Sequence, residues 1–166
     1  MFASPRHRHR RRDRSSARCS HRHHGKGVKT CRPYTERPIS DPILNPGDEP
    51  YFDAAAEGRL LLKSCNACHQ PHHYPRALCP FCWSTDVEWI TASGTGAIYT
   101  FSITRRGASA PYCIAYVRLD EGLMMLTNIV DVDLDSVRIG QRVRVAFKES
   151  ESGMSVPMFT IDHSEA

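Results

Sequence analysis

The chain is predicted to be mainly β: a short N-terminal helix, a rubredoxin-like four-cysteine ribbon, then a five-stranded barrel. Three observations carry that class. Two Cys-x-x-Cys pairs, Cys65/Cys68 and Cys79/Cys82, lie ten residues apart. A Gly-started alternating stretch begins at Gly94, and apolar runs at 112–119 and 123–130 flank Asp-Glu-Gly, the composition of a tight hairpin.

The chain opens on a segment with the run RHRHRRRDRSSARCSHRHHGKG. Residues 1–34 are almost devoid of apolar side chains, so they are expected to form a disordered Arg/His-rich tail. This tail reads as a nucleic-acid-binding or targeting arm, or as the product of a start assigned too far upstream. It lacks the apolar face of a mitochondrial presequence. Residues 35–62 are expected to hold an extended Pro-rich arm (ERPISDPILNPG) and a helix. Asp48 stands as its N-cap, Glu49 and Pro50 in its first turn, and Gly58 just past its end. Tyr51, Phe52 and Ala55 form its apolar stripe.

Residues 63–92 make the ribbon. Each Cys-x-x-Cys puts two thiolates on one turn, and a hairpin brings the turns face to face. Four thiolates complete a closed tetrahedral site suited to structural Zn²⁺, with no open position for water. Iron uses the same ligands, and the spacing does not separate the two metals. Disulfides fit poorly, because no apolar signal segment precedes the pairs and seven cysteines is an odd count. The position after the second Cys of such a knuckle favours Gly, because a left-handed backbone turns amides toward sulfur. Here it holds His69 and Trp83. His69, His72 and His73 are expected to be exposed hairpin residues, and Cys113 a buried small hydrophobe. Cys19 and Cys31 have no partner at ligand spacing.

Residues 93–163 make the barrel. GTGAIYTFSITRR alternates Ile98, Thr100 and Ser102 against Tyr99, Phe101 and Ile103. VDLDSVRIG reads as a connector with a turn of helix. QRVRVAFKE points Val143, Val145 and Phe147 inward, and SVPMFTI closes the set after Ser-Glu-Ser-Gly. Five strands with a helical connector after the third match an OB-type Greek-key barrel. An SH3-like barrel or a small sandwich is the alternative.

Net charge of +4 conceals a division. Residues 1–40 hold 12 Lys/Arg against 2 Asp/Glu, and residues 41–166 hold 10 against 16, a net of −6. An acidic body argues against a phosphate-backbone-binding surface. No apolar run reaches the ~18 residues of a membrane helix, and a cytoplasmic location is expected. There is no G-x-S-x-G elbow, H-E-x-x-H or P-loop. The barrel half holds one histidine, His163, so no catalytic residue is assigned.

The segments YFDAAAEGRLLLKSCNAC, PRALCPFCWSTDVEWITASGTGAIYTF, LMMLTNIV and VRIGQRVRVAF together closely resemble the family once called domain of unknown function 35, the acyl-CoA-associated zinc-ribbon OB-fold proteins. The resemblance runs from about Glu36 to Ile161. It departs at His69, at Trp83 and in the shortened RRGASAPY loop. It implies a non-catalytic accessory subunit with a structural zinc. The implied partner is a thiolase-fold acyl-CoA enzyme or a MaoC-like hydratase, in lipid, steroid or polyketide-type metabolism, with acyl-CoA shared between them. Arg76, Phe101, Arg105, Arg106 and Tyr112 are the candidate acyl-CoA contacts, since CoA needs cations and an aromatic or apolar surface. Tyr51, Phe52 and Leu60 are the candidate docking residues. The alternative function is a single-stranded nucleic-acid-binding OB protein.

Overall fold

The computed structural model describes residues 37–108 and 110–164; the expected tail at 1–34 lies outside them. An extended arm leads to helix α1 (Glu49–Ala56). Asp48 takes the N-cap position, but its side chain does not cap. Its carboxylate faces backward instead, accepting from the Asn45 N–H at 3.0 Å and the Tyr74 hydroxyl at 2.7 Å. The C-terminus closes as expected. Gly58 is left-handed (φ +75°), its N–H donates to Ala55 O, and the Arg59 N–H donates to Ala54 O at 2.8 Å. That paired return is a Schellman motif, which only glycine enters without steric cost.

Strands β1 (Leu61–Cys65), β2 (Pro71–His72) and β3 (Val87–Thr91) form an antiparallel sheet in the order β2-β1-β3. Five more strands follow: β4 (Thr95–Thr104), β5 (Tyr112–Leu119), β6 (Met124–Ile129), β7 (Arg142–Glu149) and β8 (Ser155–Ile161). They close as β4-β5-β6-β8-β7, with β4 paired to β7 and β6 parallel to β8. That is the OB order, with the expected helical turn at Leu134–Ser136 between the third and fourth barrel strands.

Gly96 is where the barrel closes. It pairs with Leu119 of β5 and with Val143 of β7. A Cβ there would stand 2.5 Å from the Arg118 carbonyl oxygen and 2.9 Å from Val117 Cγ1, so only glycine lets the strands approach.

The strict alternation read along β4 breaks at a bulge between Ile98 and Thr100. Tyr99 and Thr100 both face out, while Phe101 and Ile103 return to the core side behind Ile98. One extra residue re-phases the period of two. The core is continuous: Tyr51 and Ala54 from α1, Leu60–Leu62 from the ribbon base, and Ile98, Val117, Ile129, Val143 and Phe159 from the barrel belong to one buried cluster. The helix and ribbon are therefore packed onto the barrel and not tethered beside it.

The arm is tied down as well. The Glu151 N–H donates to Ile39 O at 2.9 Å, and the N–H and hydroxyl of Ser152 both donate to an Asp41 oxygen. No helix among the described residues is long and apolar enough to cross a membrane.

Candidate metal centre

Both knuckles are built alike. In the first, the His69 N–H donates to Cys65 O at 2.8 Å; in the second, the Trp83 N–H donates to Cys79 O at 3.1 Å. Both closing residues are left-handed, with φ +57° for His69 and +65° for Trp83. The sequence places non-glycine residues where the turn demands a glycine-like backbone, at a cost of roughly 1–2 kcal/mol each. An amide then reaches sulfur as the knuckle requires: the Phe81 N–H donates to Cys79 Sγ at 3.4 Å. The knuckles are joined across the ribbon by Asn66, whose N–H donates to Asp86 O and whose Nδ2 donates to Asp86 Oδ1.

These turns gather Cys65, Cys68, Cys79 and Cys82 so that all four Sγ atoms lie within 4.8 Å of one another. Cys65 and Cys82 sulfurs are 3.5 Å apart, and those of Cys68 and Cys79 are 3.6 Å apart. A tetrahedral Zn²⁺ with Zn–S bonds of about 2.3 Å needs sulfur separations of about 3.8 Å, so the four fit the ion. A disulfide needs about 2.05 Å, and all five described cysteines are free. Zinc here would cross-link the two turns, and four thiolates fill its coordination shell. Cys65 and Cys79 are buried, whereas Cys68 is partly exposed and Cys82 exposed.

The thiols differ in acidity. At Cys79 burial acts to raise the pKa, but the Phe81 and Cys82 amides and the neighbouring thiols outweigh it and bring it down to about 7. At Cys68 the Gln70 amide acts to lower it, but burial and the surrounding sulfurs hold it up at about 12. Loading the ion therefore displaces protons from thiols of unequal strength.

The histidines correct the expectation of exposure. His69 is exposed, but His72 is 3% exposed with neither ring nitrogen hydrogen-bonded, and His73 is half-buried. His73 Nε2 lies 3.4 Å from the Tyr51 hydroxyl, and the rings of Tyr51, His73 and Tyr74 pack together. The hairpin between the knuckles thus serves as the seat of helix α1. Burial and the neighbouring His72 push the His73 pKa down to about 4. Alternation in so short a strand gave no signal for this, because the covering element comes from elsewhere in the chain.

The docking residues are also corrected. Tyr51 is 4% and Leu60 2% exposed, both inside the chain's own core, and Phe52 is half-buried against it. A short helix must bury its stripe to persist, and it does so on this chain. The most exposed large apolar side chains of the ribbon are Phe81 and Trp83 in the second knuckle, with Leu78 beside them and Tyr74 in the hairpin less open.

The five acyl-CoA candidates are not gathered in one place. Tyr112 lines an open groove of about 820 Å³ and carries the Arg37 guanidinium over its ring at 4.5 Å. Arg105 and Arg106 follow Thr104, the strand partner of Tyr112; Arg105 is paired with Asp135 at 2.6 Å. Phe101 lines a separate hollow of about 190 Å³, with Tyr116 and Leu126, and Arg76 is exposed in the ribbon. Arg37 is the groove residue that sequence reasoning missed, because in a Pro-rich arm it reads only as linker. Cys113 is fully buried, and burial pushes its thiol up to about 11.

Residues 52–88 match the family model described as ChsH2, rubredoxin-like zinc ribbon domain, and residues 89–148 match ChsH2, C-terminal OB-fold domain. The chain is 32% identical over 122 residues to a probable enoyl-CoA hydratase alpha subunit of Thermomonospora curvata, covering 71% of this chain and 38% of that protein. It is 31% identical over 84 residues to the benzoylsuccinyl-CoA thiolase subunit BbsA of Geobacter metallireducens, covering 49% of this chain and 56% of that subunit. The chain thus spans well under two thirds of both relatives. Among solved structures, a chain of the Ltp2-ChsH2(DUF35) aldolase superposes with a TM-score of 0.64 at 31% identity, covering 73% of this chain and 98% of that one. Ribbon, barrel order and relatives agree: the chain belongs to the DUF35 family of zinc-ribbon OB-fold proteins.

Proposed function

We propose that this protein is a non-catalytic accessory subunit of an acyl-CoA enzyme, docking a thiolase-like or hydratase-type partner and helping it hold acyl-CoA. The observation that carries the reading is the pairing of this two-module body with relatives named as subunits of such enzymes. Docking falls to the second knuckle, because Trp83 is 73% and Phe81 60% exposed on a turn that zinc would hold rigid. Aromatic side chains presented on a pre-ordered loop lose little entropy on binding, which is what interface hot spots require. The test is co-purification of the full chain from its native host and identification of the enzyme that accompanies it in stoichiometric amount. Recovery of the chain alone at native concentration would defeat the reading.

One observation favours a second reading, a single-stranded nucleic-acid binder. Tyr99 and Tyr116 are exposed on β4 and β5, and Arg118 lies over the Tyr99 ring, the kind of surface on which bases stack. The net −6 of residues 41–166 opposes it. Fluorescence anisotropy with labelled oligo-dT at physiological salt separates the two, and the accessory reading expects no submicromolar binding.

A further inference from the structure

We propose that Cys82 and Cys65 form an oxidation site for hydroperoxides, and that their disulfide costs the site its zinc and releases the second knuckle from its docking conformation. The loss of docking rests on the reading above; the oxidation site does not. The four ligand sulfurs are unequal. Cys82 is exposed and Cys68 partly exposed, whereas Cys65 and Cys79 are buried. Oxidation follows thiolate character and exposure together, so a small oxidant meets Cys82 first. Its partner is already in place: the Cys65 sulfur lies 3.5 Å away, on the other knuckle. Cys65 is fully buried, so oxidant in solution does not reach it, and the reaction open to it is with its oxidised neighbour.

The chemistry balances with the peroxide as the only co-reactant. A lone pair of the Cys82 thiolate attacks one peroxide oxygen, the O–O bond breaks and hydroxide leaves, giving a sulfenic acid. The Cys65 thiolate then attacks the Cys82 sulfur, the S–O bond breaks, a second hydroxide leaves and the S–S bond forms. The two sulfurs together lose two electrons and the peroxide gains them, and solvent protons convert both hydroxides to water. Cys68 and Cys79 alone are left as ligands, half the set that closes the site. The ribbon then loosens at its tip and not at its base. Leu60, Leu61 and Leu62 stay in the common core, but His69 and Trp83 hold left-handed backbones that non-glycine residues keep only under constraint. Phe81 and Trp83 lose the rigid turn that presents them. Cys82 stands between these two residues in sequence, so a docked enzyme shields the thiolate and, reciprocally, oxidation weakens docking.

The test treats the full zinc-loaded chain with hydrogen peroxide, follows freed zinc with a colorimetric chelator, and maps the first disulfide by peptide mass spectrometry after alkylation. One zinc per chain should be released, with Cys65–Cys82 as the first disulfide, and a dithiol reductant with added zinc should reverse both. Cys82→His keeps a competent zinc ligand that forms no disulfide, and should slow zinc release at least tenfold. Zinc retained under excess peroxide would overturn the proposal. So would a first disulfide within one knuckle, between Cys68 and Cys79, or involving Cys19 or Cys31, and so would release from Cys82→His within twofold of the wild-type rate. If Cys82→His holds no zinc, the disulfide map of the wild-type chain decides alone. The co-purifying enzyme should bind the oxidised chain at least tenfold more weakly. Zinc release with undiminished enzyme binding would keep the oxidation site and remove docking from the second knuckle; zinc retained under peroxide with enzyme binding intact would do the reverse.

Discussion

Replacing Trp83 with glycine should move stability and partner binding in opposite directions. Trp83 sits at φ +65°, where a residue with a Cβ is disfavoured by roughly 1–2 kcal/mol. Glycine relieves that strain but loses about 0.5–1 kcal/mol more chain entropy on folding, leaving a net gain of about 0.5–1 kcal/mol. For a folded body of about 130 residues the unfolding entropy is near 0.27 kcal/mol/K, so the melting temperature should rise by about 2–4 °C. Little packing is forfeited, because the side chain is 73% exposed. That exposure is what a partner would cover. About 180 Å² of Trp surface at ~25 cal/mol/Å² sets an upper bound near 4.5 kcal/mol, and anchors of this kind lose about 2–4 kcal/mol on truncation, roughly 30- to 1,000-fold in affinity. The assay pairs a thermal melt in the presence of zinc with a binding titration against the co-purifying enzyme. A lower melting temperature would refute the strain argument, and unchanged affinity would refute the docking assignment.

Four further outcomes are expected. Metal analysis should return about one zinc per chain, with no visible absorption of the kind ferric thiolate gives, and Cys79→Ser should abolish stoichiometric zinc and loosen hydrogen-exchange protection at Asn66 and His69 first. Gly96→Ala should cost about 2–3 kcal/mol, a fall in melting temperature of about 7–11 °C, since its Cβ can be housed only by parting β4 from β5; a fall under 3 °C would contradict the close approach. Because burial holds the His73 pKa at about 4, the unfolded chain takes up this proton first as pH falls below ~6.5. The contribution is whole above that pH and is lost progressively toward pH 4, by up to about 3 kcal/mol. His73→Phe should flatten that part of the stability profile, and an unchanged slope would show that His73 is solvated. Phe81→Ala should weaken enzyme binding while leaving zinc content and the melt intact.

What was legible in the sequence was whatever is encoded locally. The four ligands were readable because two residues of spacing on one turn determine where thiolates can meet, and the barrel strands because a buried face imposes a period of two. The hairpin at 120–122 and the helix end at Gly58 followed from backbone conformations few residues adopt. Even the misfit of His69 and Trp83 was visible, since knuckle geometry demands a left-handed backbone whichever residue stands there. Tertiary structure decided what each surface faces. Tyr51 and Leu60 looked like docking residues because an apolar stripe on a short helix must be covered, yet sequence cannot say by what; the ribbon hairpin and barrel cover it. His73 looked solvated for the same reason, its cover arriving from Tyr51 of α1, some twenty residues upstream. The bulge at Tyr99, the parallel seam between β6 and β8, and the placement of Arg37 over Tyr112 all depend on which strands meet at barrel closure. Burial is a property of pairs of elements, and pairing across the chain is the information a local pattern does not contain.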